Sequence, residues 1–192
     1  MPATLAAVKE LLAAGKAEEA RTLVTELVKA EPGNAEVLAA FQGLYLAEGV
    51  KRATRARDRR RAEILKLPRE DLDYRDPPEV DAAFDASVAC FDEVLARNPA
   101  SVKAMLLRAG VLHAKQRDRE RAVGLLQAAL KINPAAKDVQ MNLRKLMRPC
   151  AACEDTGFCS ECHGRGIRKR LWGESRCERC LGQGICRRCS IL

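Results

Sequence analysis

Residues 150–189 read CAACEDTGFCSECHGRGIRKRLWGESRCERCLGQGICRRC. The stretch holds four Cys-x-x-Cys pairs, Cys150/Cys153, Cys159/Cys162, Cys177/Cys180 and Cys186/Cys189, and with them eight of the nine cysteines of the chain. Two thiolates on one tight turn make half of a tetrahedral zinc site, so four halves make two four-cysteine sites. One such pair is as readily a redox motif. Four within 40 residues, in a chain with no other cysteine cluster, form a metal-binding framework.

The spacing is symmetric. Five residues separate Cys153 from Cys159, five separate Cys180 from Cys186, and fourteen separate Cys162 from Cys177. A long hairpin folded at the central loop lays the second pair on the third and the first on the fourth. One zinc ion is then expected at Cys159, Cys162, Cys177 and Cys180, and a second at Cys150, Cys153, Cys186 and Cys189. The rival pairing, first with second and third with fourth, must close each site across only five residues, which is short for the loop inside a zinc ribbon. Glycines follow the inner pairs, in HGRG after Cys162 and LGQG after Cys180. Glycine takes positive φ freely and lets the backbone turn away from a metal.

Cys-x-x-Cys-x-Gly-x-Gly resembles the repeat of the DnaJ-type zinc domain of J-domain co-chaperones. CSECHGRG and CERCLGQG match it fully. CAACEDTG keeps only Gly157 and has Asp155 at the other glycine position, and CRRC is followed by no glycine. In that family the first and fourth motifs share one zinc and the second and third the other, and the domain helps to engage clients and an ATPase partner. The resemblance covers about a fifth of the chain. The His-Pro-Asp tripeptide of a J domain is absent, so stimulation of a heat-shock ATPase is not expected.

Working outward from the cysteines, residues 1–149 read as helices. The chain is 47% hydrophobic but only 4% aromatic, which favours helices packed closely through small residues. Leu5, Val8, Leu11 and Leu12, then Ala20, Leu23, Val24 and Leu27, give two amphipathic faces broken at Gly15 and stopped at Pro32-Gly33-Asn34. Glu36 to Glu48, Val80 to Arg97, Val102 to Leu112, Ala122 to Ala129 and Ala136 to Met147 continue the pattern. Pro99 and Pro134 are 35 residues apart, and Pro32 and Pro99 are 67 apart, about twice 34. A small residue, Ala20, Ser87 or Ala122, lies twelve before each of these prolines. This resembles the tetratricopeptide repeat, a helix-turn-helix unit with small residues where its helices touch and a proline at its exit. The expected fold is mainly α: a helical-hairpin solenoid over 1–149 followed by a small zinc-bound β-hairpin module over 150–192.

The repeat is expected to be interrupted between residues 50 and 79. Residues 51–67 carry eight Lys or Arg against two acids, and residues 67–99 three against nine. The basic block reads as a helix with a solvated arginine face that folds back on the acidic one, with a nucleic-acid arm as the alternative. The formal charge of +8 shrinks once eight thiolates and two zinc ions are counted, because +8 − 8 + 4 = +4. Such a diffuse field gives salt-sensitive, non-specific attraction. The IRKRLW loop, with Arg168, Lys169, Arg170 and Trp172, is the candidate contact patch of the cysteine-rich segment; the plainer reading is a loop tip with one anchoring aromatic. Arg108 is the candidate contact for a partner carboxylate, against a solvated arginine. His163 fills a variable position, His113 lies near a packing face, and Cys90 reads as a buried inert thiol.

No secretory run opens the sequence, and no stretch approaches eighteen uninterrupted apolar residues. Paired thiols suit a reducing compartment, so a cytoplasmic location is expected. No Ser-His-Asp set, phosphate loop or convergent carboxylate pair stands out, and no enzyme is expected. The expected role is a non-catalytic adaptor or chaperone-like assembly factor whose partner is another protein or an unfolded client. An RNA- or ribosome-associated protein using the basic segment is the alternative, and a thiol-disulfide oxidoreductase stands behind both.

Overall fold

The computed structural model describes residues 4–68, 74–116 and 118–191; the middle of the acidic, proline-rich stretch, residues 69–73, lies outside them. The chain is mainly helical: α1 (Leu5–Ala13), α2 (Ala17–Ala30), α3 (Ala35–Lys66), α4 (Pro78–Arg97), α5 (Val102–Gln116), α6 (Arg119–Ile132) and α7 (Lys137–Leu146) precede a two-stranded antiparallel sheet of β1 (Ile167–Arg170) and β2 (Gly173–Arg176). Each helix packs on its neighbours in sequence, as in a stacked array of helical hairpins.

The repeat is visible in its turns. The last helical N–H of α2, α4 and α6 is followed by Glu31, Asn98 and Asn133, whose N–H groups donate to Leu27, Val94 and Ala129 carbonyls at 2.8, 2.8 and 2.9 Å. Three residues on, Asn34, Ser101 and Ala136 donate back to Glu31, Asn98 and Asn133 at 3.1, 3.0 and 3.2 Å. Proline occupies the second position of all three turns, where its fixed φ suits the bend and its missing N–H costs nothing. Asn34 then caps α3, its side chain accepting from Glu36 and Val37 N–H, and Ser101 Oγ accepts from Ala104 N–H, which satisfies donors the helix itself leaves open.

Small residues sit where the helices touch. Ala20, Ser87 and Ala122 are each 0% exposed. Ser87 Oγ donates to Gly49 O of the adjacent helix at 2.7 Å, so the backbones of α3 and α4 lie close together. The core around these contacts is built from Phe41, Val24 and Val37 at one end, Phe84, Phe91 and Val111 in the middle, and Leu126, Val139 and Leu146 at the other. Burying one such side chain is worth about 1.5–3 kcal/mol.

The run from Glu36 to Glu48 and the basic block form one helix. Helix α3 runs 32 residues, through Gly49 and the whole basic block. Gly49 is there for proximity: a Cβ at that position would lie 2.5 Å from Phe91 Cε1. Of the weakly apolar stripe of the basic block, Ala53, Ala56, Ile64 and Leu67, the first three are buried and Leu67 is half-buried, with Ala53 and Ala56 in the cluster that holds Phe84 and Phe91. The basic block does fold back on its acidic neighbour, but its arginine face is only partly solvated. Arg60 is buried; Nε donates to Asp76 at 2.7 Å and Nη1 to Ala114 O at 2.8 Å. Arg52 pairs with Glu48 at 2.8 Å, and Glu48 also pairs with buried Arg21 at 2.8 Å.

Candidate metal centre

Residues 150–191 fold back on themselves at the β1–β2 hairpin. Ile167 pairs with Arg176, and Cys177 N–H donates to Gly166 O at 2.9 Å. A second crossing lies between the inner and outer cysteines, where Phe158 bridges Ile185. There Cys159 N–H donates to Gly184 O and Cys186 N–H to Gly157 O, both at 2.8 Å. These two crossings set the pairing of the motifs. The sulfurs of Cys159, Cys162, Cys177 and Cys180 form one group and those of Cys150, Cys153, Cys186 and Cys189 the other, each with all sulfurs within 4.8 Å of one another.

The spacing within each group fits a tetrahedral ion. Sγ–Sγ separations are 3.9 Å for Cys159–Cys177 and 3.6 Å for Cys162–Cys180. In the outer group they are 3.8 Å for Cys150–Cys186 and 3.6 Å for Cys153–Cys189. A zinc–sulfur bond of about 2.3 Å sets a tetrahedral edge of about 3.8 Å, whereas a disulfide needs about 2.05 Å. Backbone donors complete the inner group: Gly166 N–H points at Cys162 Sγ, 3.2 Å, and Gly184 N–H at Cys180 Sγ, 3.3 Å. Such bonds stabilise thiolates, the form a metal requires.

Electrostatics point the same way. Burial pushes the Cys153 thiol up to about 11 and raises Cys159, Cys162 and Cys189 as well. At Cys177 and Cys186 burial also acts upward, but it is outweighed by backbone N–H groups, of Cys180 and of Cys189 and Arg188, together with the neighbouring thiols, and both are lowered. Four buried thiols in one group cannot all ionise unless a cation shares the site. Seven of the eight are buried and Cys150 is half-buried. Both groups could therefore hold a metal ion.

Backbone geometry explains the departures from the glycine pattern. His163 and Leu181, directly after the inner pairs, have φ of 47° and 52°. After the first pair both Glu154 and Asp155 are left-handed, at 51° and 59°. Asp tolerates this region better than most residues because its short side chain bonds locally. Asp155 Oδ1 accepts from Cys150 N–H at 2.8 Å, and Oδ2 accepts from Arg119 at 2.8 Å. Asp155 therefore makes the turn that glycine makes elsewhere and also ties the outer group to α6. At the inner crossing glycine is obligatory: a Cβ on Gly166 would strike Gly182 O, and one on Gly184 would strike Gly164 O.

The cysteine-rich segment also rests against the helices. Arg61 Nη1 donates to Gly182 O at 3.0 Å, and buried Arg165 donates to Leu67 and Pro68 carbonyls at 3.1 and 2.5 Å. Ile64 faces Gly164 and Phe158, Tyr74 meets the Phe158 ring edge-on at 6.1 Å, and Ile191 packs against the α5–α7 cluster. These contacts were not foreseen. The available signal was the apolar residue directly before Cys159 and Cys186, Phe158 and Ile185.

The remaining candidates fall as follows. Arg108 is half-buried and pairs with exposed Asp92, its Nε 2.6 Å from the carboxylate. Arg168 pairs with Glu161 at 2.8 Å and Arg170 with Glu178 at 3.2 Å, both on the surface. Lys169 is exposed opposite Glu174. Trp172 anchors nothing; it is 99% exposed. His163 is exposed and outside both sulfur groups, and His113 and Cys90 are buried.

The fold and site thus define a helical-hairpin repeat protein with two four-cysteine clusters at its C-terminal end. A tetratricopeptide repeat family model matches residues 83–137, from α4 to the start of α7. No curated protein and no solved structure matches the chain. Among the described residues no helix is long and apolar enough to cross a membrane.

Proposed function

We propose that this chain is a non-catalytic adaptor or assembly factor. Its helical array holds one protein partner, and its zinc-built hairpin, of DnaJ type, is offered to a second partner or to an assembling client. The observation that carries the reading is the hairpin array itself, together with the tetratricopeptide match; repeats of this kind generally mediate protein–protein contacts. An open groove of about 450 Å³ between α2, α3 and α4, lined by Thr25, Tyr45 and Glu93 among others, offers an extended surface of the required kind. Zinc is the metal that an all-thiolate tetrahedral donor set favours. Four sulfurs saturate each ion and leave no open position, which suits a structural rather than a catalytic site. Eight thiols held for metal suit the reducing cytoplasm. The basic face of α3 supports an RNA arm less well, because Arg52, Arg60 and Arg61 are engaged with Glu48, Asp76 and Gly182.

Affinity capture of the intact, zinc-loaded protein from its own cell extract, with and without nuclease, tests this reading. A stoichiometric protein partner that survives nuclease is expected. Recovery that collapses with nuclease would replace the adaptor with a nucleic-acid-dependent role.

A further inference from the structure

The tip of the β1–β2 hairpin displays its apolar side chains. Arg170 pairs with Gly173, so Leu171 and Trp172 alone make the loop. They are 98% and 99% exposed. Two-residue hairpin loops favour residues that accept positive φ, such as Asn-Gly; neither Leu171 nor Trp172 takes positive φ, and neither is a turn former. Local turn chemistry and solubility both argue against this pair, and departures from local rules concentrate at functional sites.

Positive charge lies behind the tip, mostly along β1. Between residues 167 and 176 there are four cations, Arg168, Lys169, Arg170 and Arg176, and one acid, Glu174, so the ribbon carries 4 − 1 = +3. The charge continues away from the tip as a track. Arg168 shares Glu161 with Arg179, at 2.8 and 3.4 Å. Arg179 in turn lines a concavity of about 220 Å³ with Arg187, Arg188 and Ser160, beside Cys159 and Cys186 of the two sulfur groups. The Glu161 pairs are on the surface and weak enough for a phosphate to displace.

We propose that the hairpin tip and this arginine track bind single-stranded nucleic acid. An exposed aromatic face beside a cationic path is the combination that holds a single strand, with stacking on the bases and charge on the phosphates. Trp172 stacks on an unpaired base, Leu171 packs beside it, and the backbone follows Arg168 and Arg179 toward Arg187 and Arg188. A duplex is excluded as the main ligand because its base faces are already stacked. A lipid surface fits less well: the cations run from the tip into a concavity rather than ringing the tip, and Glu174 lies just behind the loop. The inference goes beyond the adaptor reading and does not rest on it.

Trp172 is the only tryptophan in the chain, so its emission reports on the tip directly. The full-length zinc-loaded protein is titrated with oligothymidylate and with oligouridylate. Saturable quenching is expected, with affinity falling about tenfold when salt is tripled, the response of about three displaced counterions. By anisotropy of a labelled oligonucleotide, Trp172→Ala should bind about tenfold more weakly while Trp172→Phe retains most of the affinity. Arg168→Gln combined with Lys169→Gln should weaken binding and flatten its salt dependence, with circular dichroism and zinc content unchanged. The proposal is overturned if neither oligonucleotide quenches Trp172, or if Trp172→Ala binds as tightly as the parent. It is equally overturned if the emission responds only to phosphatidylserine-containing vesicles, or only to protein concentration, which would assign the tip to a lipid surface or to a second copy. Capture of a nuclease-resistant protein partner should be indifferent to Trp172→Ala, so failure here leaves the adaptor reading standing.

Discussion

The helical array and the cysteine-rich segment bury different things. In the array the buried side chains are Phe41, Phe84, Phe91, Leu126 and their aliphatic neighbours. In the segment the two buried clusters consist of cysteine side chains, with Ala152 the one other apolar residue packed against them. Several of its large apolar residues are spent elsewhere: Phe158 and Ile191 face the helices, while Leu171, Trp172 and Leu181 are exposed. One region is thus held by removing apolar area from water, while the other gathers sulfurs that could share a metal ion, and a segment of some 40 residues without an apolar core needs such a staple. The seam between them shows that the second kind of region can still use the first as a platform.

The sharpest way to break this contrast is to remove sulfurs. Replacing Cys159 and Cys162 with Ser should unfold the hairpin, because structural zinc contributes roughly 10–16 kcal/mol in small zinc-binding peptides. Far-ultraviolet circular dichroism should keep its helical signal, and loss of most helicity would mean that the array depends on the metal segment. The converse test is Phe84→Ala, which should cost the array about 3–5 kcal/mol, read as a lower denaturation midpoint of the helical signal. The first prediction addresses coordination and the second mainly burial.

A smaller effect is expected at the seam. Arg60 is bonded to Asp76 and Ala114 O, lies 4.5 Å over the Phe84 ring and approaches Phe158 at 5.9 Å. Asp76→Ala leaves this buried guanidinium without its carboxylate, at a cost of about 3 kcal/mol. Thermal denaturation followed by helicity should register that loss, while zinc retention against a chelator should stay close to the parent. Equal loss in both readings would merge the two regions into one cooperative unit.

Much of this was legible in the sequence, for identifiable reasons. The helices α1, α2, α4, α6 and α7 follow from apolar periodicity and from the Pro32, Pro99 and Pro134 turns, which are local signals. The two sulfur groups follow from equal five-residue spacers, because a hairpin with equal arms brings only one set of motifs together. What escaped was decided by distant contact. The run read from Glu36 stops short of Gly49, whose role is set by Phe91, forty-two residues away in sequence. Arg60 reads as part of a solvated face until Asp76, Ala114 and Phe84 surround it. Asp155 reads as a defect in a glycine pattern, although its left-handed backbone and its bonds to Cys150 and Arg119 make it a substitute. Trp172 reads either as part of a contact patch or as an anchoring aromatic, and the two-residue loop, which leaves it nothing to pack on, removes the second reading.

The central claim is that the C-terminal segment is built by two four-thiolate metal sites. Native mass spectrometry of the intact chain, purified under reducing conditions, combined with zinc-edge X-ray absorption, tests it most directly. The account predicts two zinc ions per chain, each surrounded by four sulfurs at about 2.3 Å. Fewer than two ions, a mixed nitrogen or oxygen shell, or a folded hairpin held by disulfides in place of metal would contradict it.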